Sequence, residues 1–309
     1  METSSPLISC IIPTFNRDSL LKDAIESTLH QTLKNWEMII VDDGSSDNTK
    51  QVVNGYAYKD SRIRYYKNDK KGQASARNYG LAKSKGQYIA FLDDDDISLP
   101  YRFESQLKAV EKSGRKFIVS GYQVRNRNTN ELISEHKLEL KGAGAGFPSR
   151  WLISKELLSQ TDGFNENLPS MEEIELSYRL SVLETFALHD DIVSILYPTE
   201  SSVSRIKENN IKGMVLMMEL LGSEMIPYEA AWWYYTIGTG YYSKGEKKTA
   251  LFYFKKASEM SKSHNFKIGY LIASLSPSFN DEIKRLNLKI IKIFGDYRFP
   301  ALINHPIVK

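Results

Sequence analysis

The sequence is poor in cysteine: of its 309 residues, only Cys10 carries a thiol. A lone cysteine excludes an internal disulfide framework and fits a reducing compartment. It lies in the apolar run Ile8-Ser9-Cys10-Ile11-Ile12 and so reads as a small core residue rather than a nucleophile. Nowhere do apolar residues approach the roughly 18 in a row that a membrane span needs. Met1 to Pro6 lacks a basic stretch leading into an apolar one, so no signal peptide is expected. The expectation is a cytoplasmic protein, with attachment to the inner face of a membrane left open. Net charge is small as well, +3. The basic residues do not interleave with aromatics along one face, which argues against nucleic-acid binding.

What charge there is divides unevenly. Residues 205–309 hold 16 Lys+Arg against 9 Asp+Glu, and the first 204 hold 25 against 29. A mildly acidic front and a basic tail suggest two units, 1–204 and 205–309. With 41% hydrophobic content, the chain suits one or two globular domains with a sizeable core.

The first hundred residues alternate strand and helix patterns. Ile8–Ile12, Glu37–Val41, Ile63–Tyr66 and Tyr88–Leu92 read as strands. Residues 17–31, 49–58 and 72–84 carry helical spacing. Ser45, Ser46 and Asp47 are available to cap the second helix, and Gly86 is expected to end the third. Such alternation argues for a parallel α/β sheet, whose ligands bind beyond the carboxyl ends of the strands. Further on, Phe117–Ser120 reads as a strand, Trp151–Leu158 as helical and Met171–Leu183 as a helix with an acidic start. Gly142–Gly146 reads as a loop nearly without side chains, either approached closely by a ligand or simply exposed. Beyond residue 205 the strand signal fades. Residues 228–263 suggest one tetratricopeptide-like helical hairpin or an ordinary helical appendage. Asp281–Phe294 is basic and amphipathic, which suits either a membrane surface or a packed helix.

The densest chemical signal is Asp93-Asp94-Asp95-Asp96, directly after the apolar run Tyr88–Leu92. Adjacent carboxylates raise one another's pKa unless a cation neutralises them. Oxygen-only ligands favour Mg²⁺ or Mn²⁺. The plain alternative is an acidic turn facing water.

Four blocks together resemble the family 2 glycosyltransferases of the GT-A fold. They are Ile8–Arg17 (ISCIIPTFNR), Ile39–Thr49 (IIVDDGSSDNT), Gly72–Leu81 (GQASARNYGL) and Phe91–Asp96 followed by Pro100. Their order and spacing match over about residues 6–204. The resemblance implies an α/β protein with a Rossmann-like mixed sheet flanked by helices, here with a C-terminal helical appendage. It implies inverting, metal-dependent sugar transfer from a nucleotide sugar, with a UDP-sugar as the expected donor. The expected acceptor is a glycan or lipid-linked glycan. By the same resemblance Asp95 is the best metal ligand, while Asp93 and Asp94 sit around the ribose and the metal. Pro13, Thr14, Phe15 and Asn16 would line the base and ribose pocket. Asp42 or Asp43 would accept a hydrogen bond from a uracil-type ring N–H. Gly72 belongs to the donor-binding set. Arg77 either pairs with phosphate or braces the acidic run. Glu173 is the expected base, with Glu172 second.

Three positions depart from the family pattern. Glu173 stands where Asp is usual, which moves the carboxylate by about a bond length. Thr199 stands at the expected position of a metal-site His, with Glu200 as a possible substitute. Lys70 stands where Asn is common. These departures leave room for a degenerate module that only binds a nucleotide sugar or a protein. A nucleotidyltransferase is disfavoured, because Pro13–Arg17 lacks the glycine that a triphosphate loop needs.

Overall fold

A computed structural model describes residues 5–137, 145–198, 207–261 and 264–275. The described residues fall into two compact units. One contains residues up to 166 together with 172–198, and the other contains 167–171 and everything from 207 onward. Thr199, Glu200, Gly142 to Gly144 and Asp281–Phe294, all named above, lie outside the described residues.

The first unit is built on one sheet. Strands β1 (Ile8–Thr14), β2 (Trp36–Asp42), β3 (Ile63–Lys67) and β4 (Tyr88–Phe91) alternate with helices α1 (Asp18–Leu29), α2 (Thr49–Lys59) and α3 (Gln73–Lys83). There follow β5 (Ile97–Ser98), α4 (Arg102–Ser113), β6 (Phe117–Arg125), β7 (Leu132–His136), β8 (Trp151–Ser154), α5 (Lys155–Leu158), α6 (Glu172–Leu183) and β9 (Ala187–Leu196). The spatial order is β3-β2-β1-β4-β8-β6-β9-β5, with β7 paired to β6. Strands β1 to β4 are mutually parallel, whereas β8 runs antiparallel to both β4 and β6. The sheet is therefore mixed, and the parallel reading holds only for its first half.

Burial on both faces explains the continuous apolar runs. Ile8, Cys10 and Ile12 of β1 pack with Leu21, Ala24 and Ile25 of α1 and Phe103 of α4. Ile11, which points the other way, packs with Ala74 and Ala76 of α3 and with Leu176 and Leu180 of α6. The same alternation holds in β4, where Ala90 faces the first cluster and Ile89 and Phe91 face the second. Register then aligns the strand ends. Thr14 lies opposite Asp42 and Ile11 opposite Phe91, so the residues after β1, β2 and β4 emerge along one rim.

Some local expectations need correction. Trp151–Ser154 is a strand, and only Lys155–Leu158 is helical. Trp151 and Ile153 fill one core cluster and Leu152 the other, so burial on alternate faces overrides the helical reading. Gly86 does not end α3, whose C-terminal cap is Ser84 in extended conformation. Gly86 is instead required by space: a Cβ there would lie 2.5 Å from the backbone nitrogen of Ser9 on β1. The N-cap of α2 is Asn48, although Asp47 does accept from the Thr49 N–H at 3.0 Å.

The second unit contains α7 (Lys207–Leu221), α8 (Pro227–Lys244), α9 (Lys247–Met260) and α10 (His264–Leu275). Helices α8 and α9 form a hairpin that turns at Gly245, whose φ of 88° suits glycine. Tyr235, Tyr242, Ala250, Phe254 and Ala257 form its core together with Phe266 and Ala273 of α10. No helix among the described residues is long and apolar enough to cross a membrane.

The Gly86 contact gives a direct test. Gly86→Ala places a methyl group against a backbone atom that cannot rotate away. It should destabilise the protein by about 1–3 kcal/mol, read by urea unfolding. An unchanged midpoint would show that β1 and the β4 approach can separate at no cost.

Candidate active site

The acidic run leaves β4 as a tight turn. The Asp96 N–H donates to the Asp93 carbonyl at 3.0 Å. Ser149 bridges the two ends of that turn, accepting from the Asp93 N–H at 3.1 Å and donating to Asp96 Oδ2 at 2.6 Å. Beneath the turn, fully buried Arg102 donates to the carbonyls of Phe91 at 2.9 Å and Trp151 at 3.1 Å, which ties the ends of β4 and β8 together.

Two arginines neutralise the carboxylates. Arg17, at the start of α1, places Nη1 2.8 Å from Asp94 Oδ1 and 2.9 Å from Asp95 Oδ2. Thr14 Oγ1 donates to the other Asp94 oxygen at 2.8 Å. Arg77, on α3, is buried and divides its guanidinium between two elements. Nη2 donates to Asp93 Oδ1 at 2.7 Å, and Nη1 donates to Glu172 Oε1 on α6 at 2.9 Å. Its cationic carbon lies 5.3 Å from the Phe164 ring centre. A third arginine, Arg127, donates to the Asp95 carbonyl and pairs with Asp23 at 3.2 Å.

The loops after β1 and β2 form a neighbouring network. Phe15 is half exposed, and Asn16 has a φ of 51°. Asn16 Oδ1 accepts from the Ser46 N–H at 2.8 Å, and the Asn16 backbone N–H donates to Ser45 Oγ at 2.9 Å. Asp42 is buried and folds the turn. Its Oδ1 accepts from the N–H groups of Gly44 and Ser45 at 3.1 and 2.7 Å, and its Oδ2 accepts from Tyr65 at 2.7 Å. Asp43 is less enclosed. It accepts from Asn68 at 2.8 Å and from the Gly72 N–H at 2.8 Å, which fixes the entry to α3. Lys70 turns outward to Glu166 at 3.2 Å.

The structure thus gathers Thr14, Asp94 and Asp95 around Arg17 and gathers Asp93 and Glu172 around Arg77, with Glu173 beside Glu172 on α6. Pro13, Phe15, Asn16, Asp42, Asp43 and Gly72 stand in the adjoining loops. Sequence reading missed Arg17, Ser149, Arg102 and Arg127. Arg17 left a signal, since it ends the block Ile8–Arg17 and is the first cation after β1. Ser149 left none. A cavity of about 510 Å³ lies elsewhere, among Gly86, Tyr88, Lys116 and Ser154, at the opposite end of β4.

Burial dominates the electrostatics. It pushes Asp94 up to about 6, with Arg17 opposing and Asp95 adding to the rise. Asp96 rises well above the usual carboxylate range, through burial and then the charges of Asp93 and Asp95. Glu173 keeps part of its surface open, yet the protein packed around it and the charge of Glu172 push it up to about 8 against the pull of Arg77.

A family model described as Glycosyl transferase family 2 matches residues 9–166. An uncharacterized glycosyltransferase of Rickettsia bellii is 29% identical over 254 residues, which cover 75% of this chain and 36% of that protein. The Escherichia coli protein WfgD, named a UDP-Glc:alpha-D-GlcNAc-diphosphoundecaprenol beta-1,3-glucosyltransferase, is 37% identical over 147 residues, 45% of this chain and 57% of WfgD. The chain therefore spans between about a third and a little over half the length of these relatives. Among solved structures, S. aureus TarS 1–349 in complex with UDP-GlcNAc superposes with a TM-score of 0.63 at 14% identity, covering 93% of this chain and 91% of that one. At that identity the likeness concerns the fold.

The donor chemistry at the acidic run suits a hard divalent cation. Among the described residues, no three His, Cys, Asp or Glu side chains are grouped to hold a metal by themselves. A site of one or two carboxylates completed by phosphate oxygens and water is how Mg²⁺ is commonly held. Arg17 Nη1, within 2.9 Å of Asp94 and Asp95, places a positive charge directly beside Asp95. These residues fit such an ion, which Asp95 and Asp93 would hold.

The raised carboxyls make stability depend on pH. Glu173 keeps its proton in the folded protein from its ordinary 4.5 up to about 8, a range in which the unfolded chain has released it. The folded state therefore binds more protons, and stability falls as pH rises through that window. Asp94 acts in the same direction up to about 6. Chelator-treated protein should melt higher at pH 5.5 than at pH 8.5, by on the order of 5 °C. Glu173→Gln should flatten that slope. A melting temperature that climbs with pH would contradict this electrostatic picture.

Proposed function

The chain belongs to glycosyl transferase family 2, and from that premise we propose that it moves a sugar, with inversion, from a UDP-sugar to a lipid-linked glycan. One observation carries the reading. The acidic rim after β4 and the carboxylates opening α6 are joined through Arg77, which supports reading them as the donor and acceptor sides of one site. The named donor and acceptor of WfgD and the UDP-GlcNAc in TarS support the choice of substrates. Substrate identity rests on these relatives, because loops and pocket shape set it rather than the fold.

In this reading the acceptor hydroxyl oxygen attacks the anomeric carbon. The carbon–oxygen bond to the diphosphate breaks, and UDP leaves with the electron pair. Glu173 takes the hydroxyl proton. A value near 8 is high for a carboxylate and makes Glu173 a stronger base once ionised. A divalent ion, when bound at Asp95 and Asp93, would neutralise charge growing on the departing diphosphate. Thr14, Phe15 and Asn16 frame the nucleoside together with Pro13. Asp43 is better placed than Asp42 to meet a ring N–H, because each of its oxygens accepts a single hydrogen bond and it is less enclosed, whereas Asp42 is buried and its Oδ1 already accepts two. Glu172 is held by Arg77 and orients the start of α6.

A second reading has support of its own. The carboxylates are already paired with Arg17 and Arg77, which also suits a module that binds nucleotide sugar without turnover.

A panel of nucleotide sugars with a lipid-linked acceptor, with and without Mn²⁺, separates the two. UDP release from a UDP-sugar is the expected result, and no release from any donor would favour the binding module. Glu173→Gln should lower kcat by about 100-fold or more with donor affinity unchanged. Loss of donor binding in that variant would remove Glu173 from the role of base.

Glu172→Gln gives an independent check. It deletes a negative charge that raises Glu173 and leaves Arg77 freer to lower it. The acidic limb of the kcat/KM profile should move below pH 8 in this variant. A limb moving upward would overturn the assignment.

A further inference from the structure

The cation that Arg17 supplies is covalently part of the chain, and its position is unusual. A single nitrogen, Nη1, contacts carboxylates of two consecutive residues, at 2.8 Å to Asp94 and 2.9 Å to Asp95. The side chain is only about one-fifth exposed, and the two carboxylates are more enclosed still, at 7% and 14%. A divalent ion settling on Asp95 would meet this guanidinium at the same carboxylate. Like charges at that separation repel strongly in a partly buried setting.

We propose that Arg17 is a built-in counterion of the acidic run, which a divalent cation must displace before it can settle on Asp95. Arg17 is thus a positioning residue that sets metal affinity rather than a catalytic one. The inference rests on the reading of Asp95 and Asp93 as metal holders and deepens it. With no ion present, Arg17 keeps Asp94 and Asp95 from repelling each other apart and preserves the turn that Ser149 clasps. When the ion arrives, Arg17 must swing away. It follows Asn16 directly, so its release frees a positive charge within the loop assigned to the nucleoside.

The energetic consequence follows from competition. If the uncovered state is a minor fraction of the population, the apparent dissociation constant for the ion is raised by the inverse of that fraction. Removing the guanidinium removes the competitor. Lysine keeps a point charge on a flexible stem and should retain much of the competition, although it cannot reproduce the planar geometry.

The experiment is a titration of the full chain with Mn²⁺ alone, followed by the electron paramagnetic resonance signal of free Mn²⁺. Wild type, Arg17→Gln, Arg17→Lys, Asp95→Asn and the Arg17→Gln/Asp95→Asn double variant are compared, each first checked for a cooperative melt. Arg17→Gln should bind about ten-fold more tightly than wild type, with Arg17→Lys nearer wild type. The double variant should lose the binding. If Arg17→Gln binds no more tightly while Asp95→Asn still abolishes binding, the metal holders stand and the counterion role of Arg17 is overturned. If Asp95→Asn leaves binding intact, the ion sits elsewhere, and both the metal assignment and this inference fall.

Discussion

Four consecutive carboxylates at the rim of a buried sheet are tolerable only if positive charge is fixed beside them. Arg17, Arg77 and the backbone contact of Arg127 supply it from three separate elements. That requirement organises much of the first unit. The end of β1 must bring Arg17 level with the turn after β4, and α3 must aim Arg77 between that turn and α6. The parallel register of β1 with β2 and β4 meets both conditions by ending the strands together. Arg102 and Ser149 then hold the turn from below, where a shift in the strands would uncouple the charges.

The change from parallel to antiparallel pairing serves the same end. Strand β8 returns beside β4 in the opposite direction, so residues that precede β8 meet residues that follow β4. Ser149 reaches Asp93 and Asp96 for that reason. A continued parallel sheet would have delivered the other end of the next strand to this rim. The mixed sheet is thus what allows a loop distant in sequence to clasp the acidic turn.

Much of this was legible beforehand, for identifiable reasons. Strands β1, β2 and β4 are buried on both faces, so they appear as unbroken apolar runs bounded by polar residues. The Asp cluster stands out because four adjacent carboxylates are costly unless neutralised, and the Gly72–Leu81 block by its match in order and spacing; the acidic start of α6 has a structural use as well, at the helix N-terminus. Trp151–Leu158 was misread because a four-residue strand running into a four-residue helix leaves too little of either period. Gly86 was misread because close approach to a neighbouring strand leaves the same glycine as a helix stop. Ser149 acts on Asp96, 53 residues away, and Arg102 joins Phe91 to Trp151, which is 49 residues away, and no local pattern marks such long-range contacts. Asp42 or Asp43 was expected to meet a ring N–H; the Tyr65 hydroxyl that contacts Asp42 comes from β3, 23 residues on, and is equally unmarked by local pattern.

Arg77 carries a consequence for how the chain can vary. One guanidinium serves Asp93 on the strand side and Glu172 on the helix side, with Glu173 in its field as well. Deleting it strands two carboxylates in an enclosed space, whereas neutralising Asp93 or Glu172 singly leaves Arg77 one-to-one with the other. Losses measured at these positions one by one would therefore overstate what each contributes, and paired replacements would fall short of the sum. Inheritance at such a junction is collective: the three side chains are free to drift only as a set.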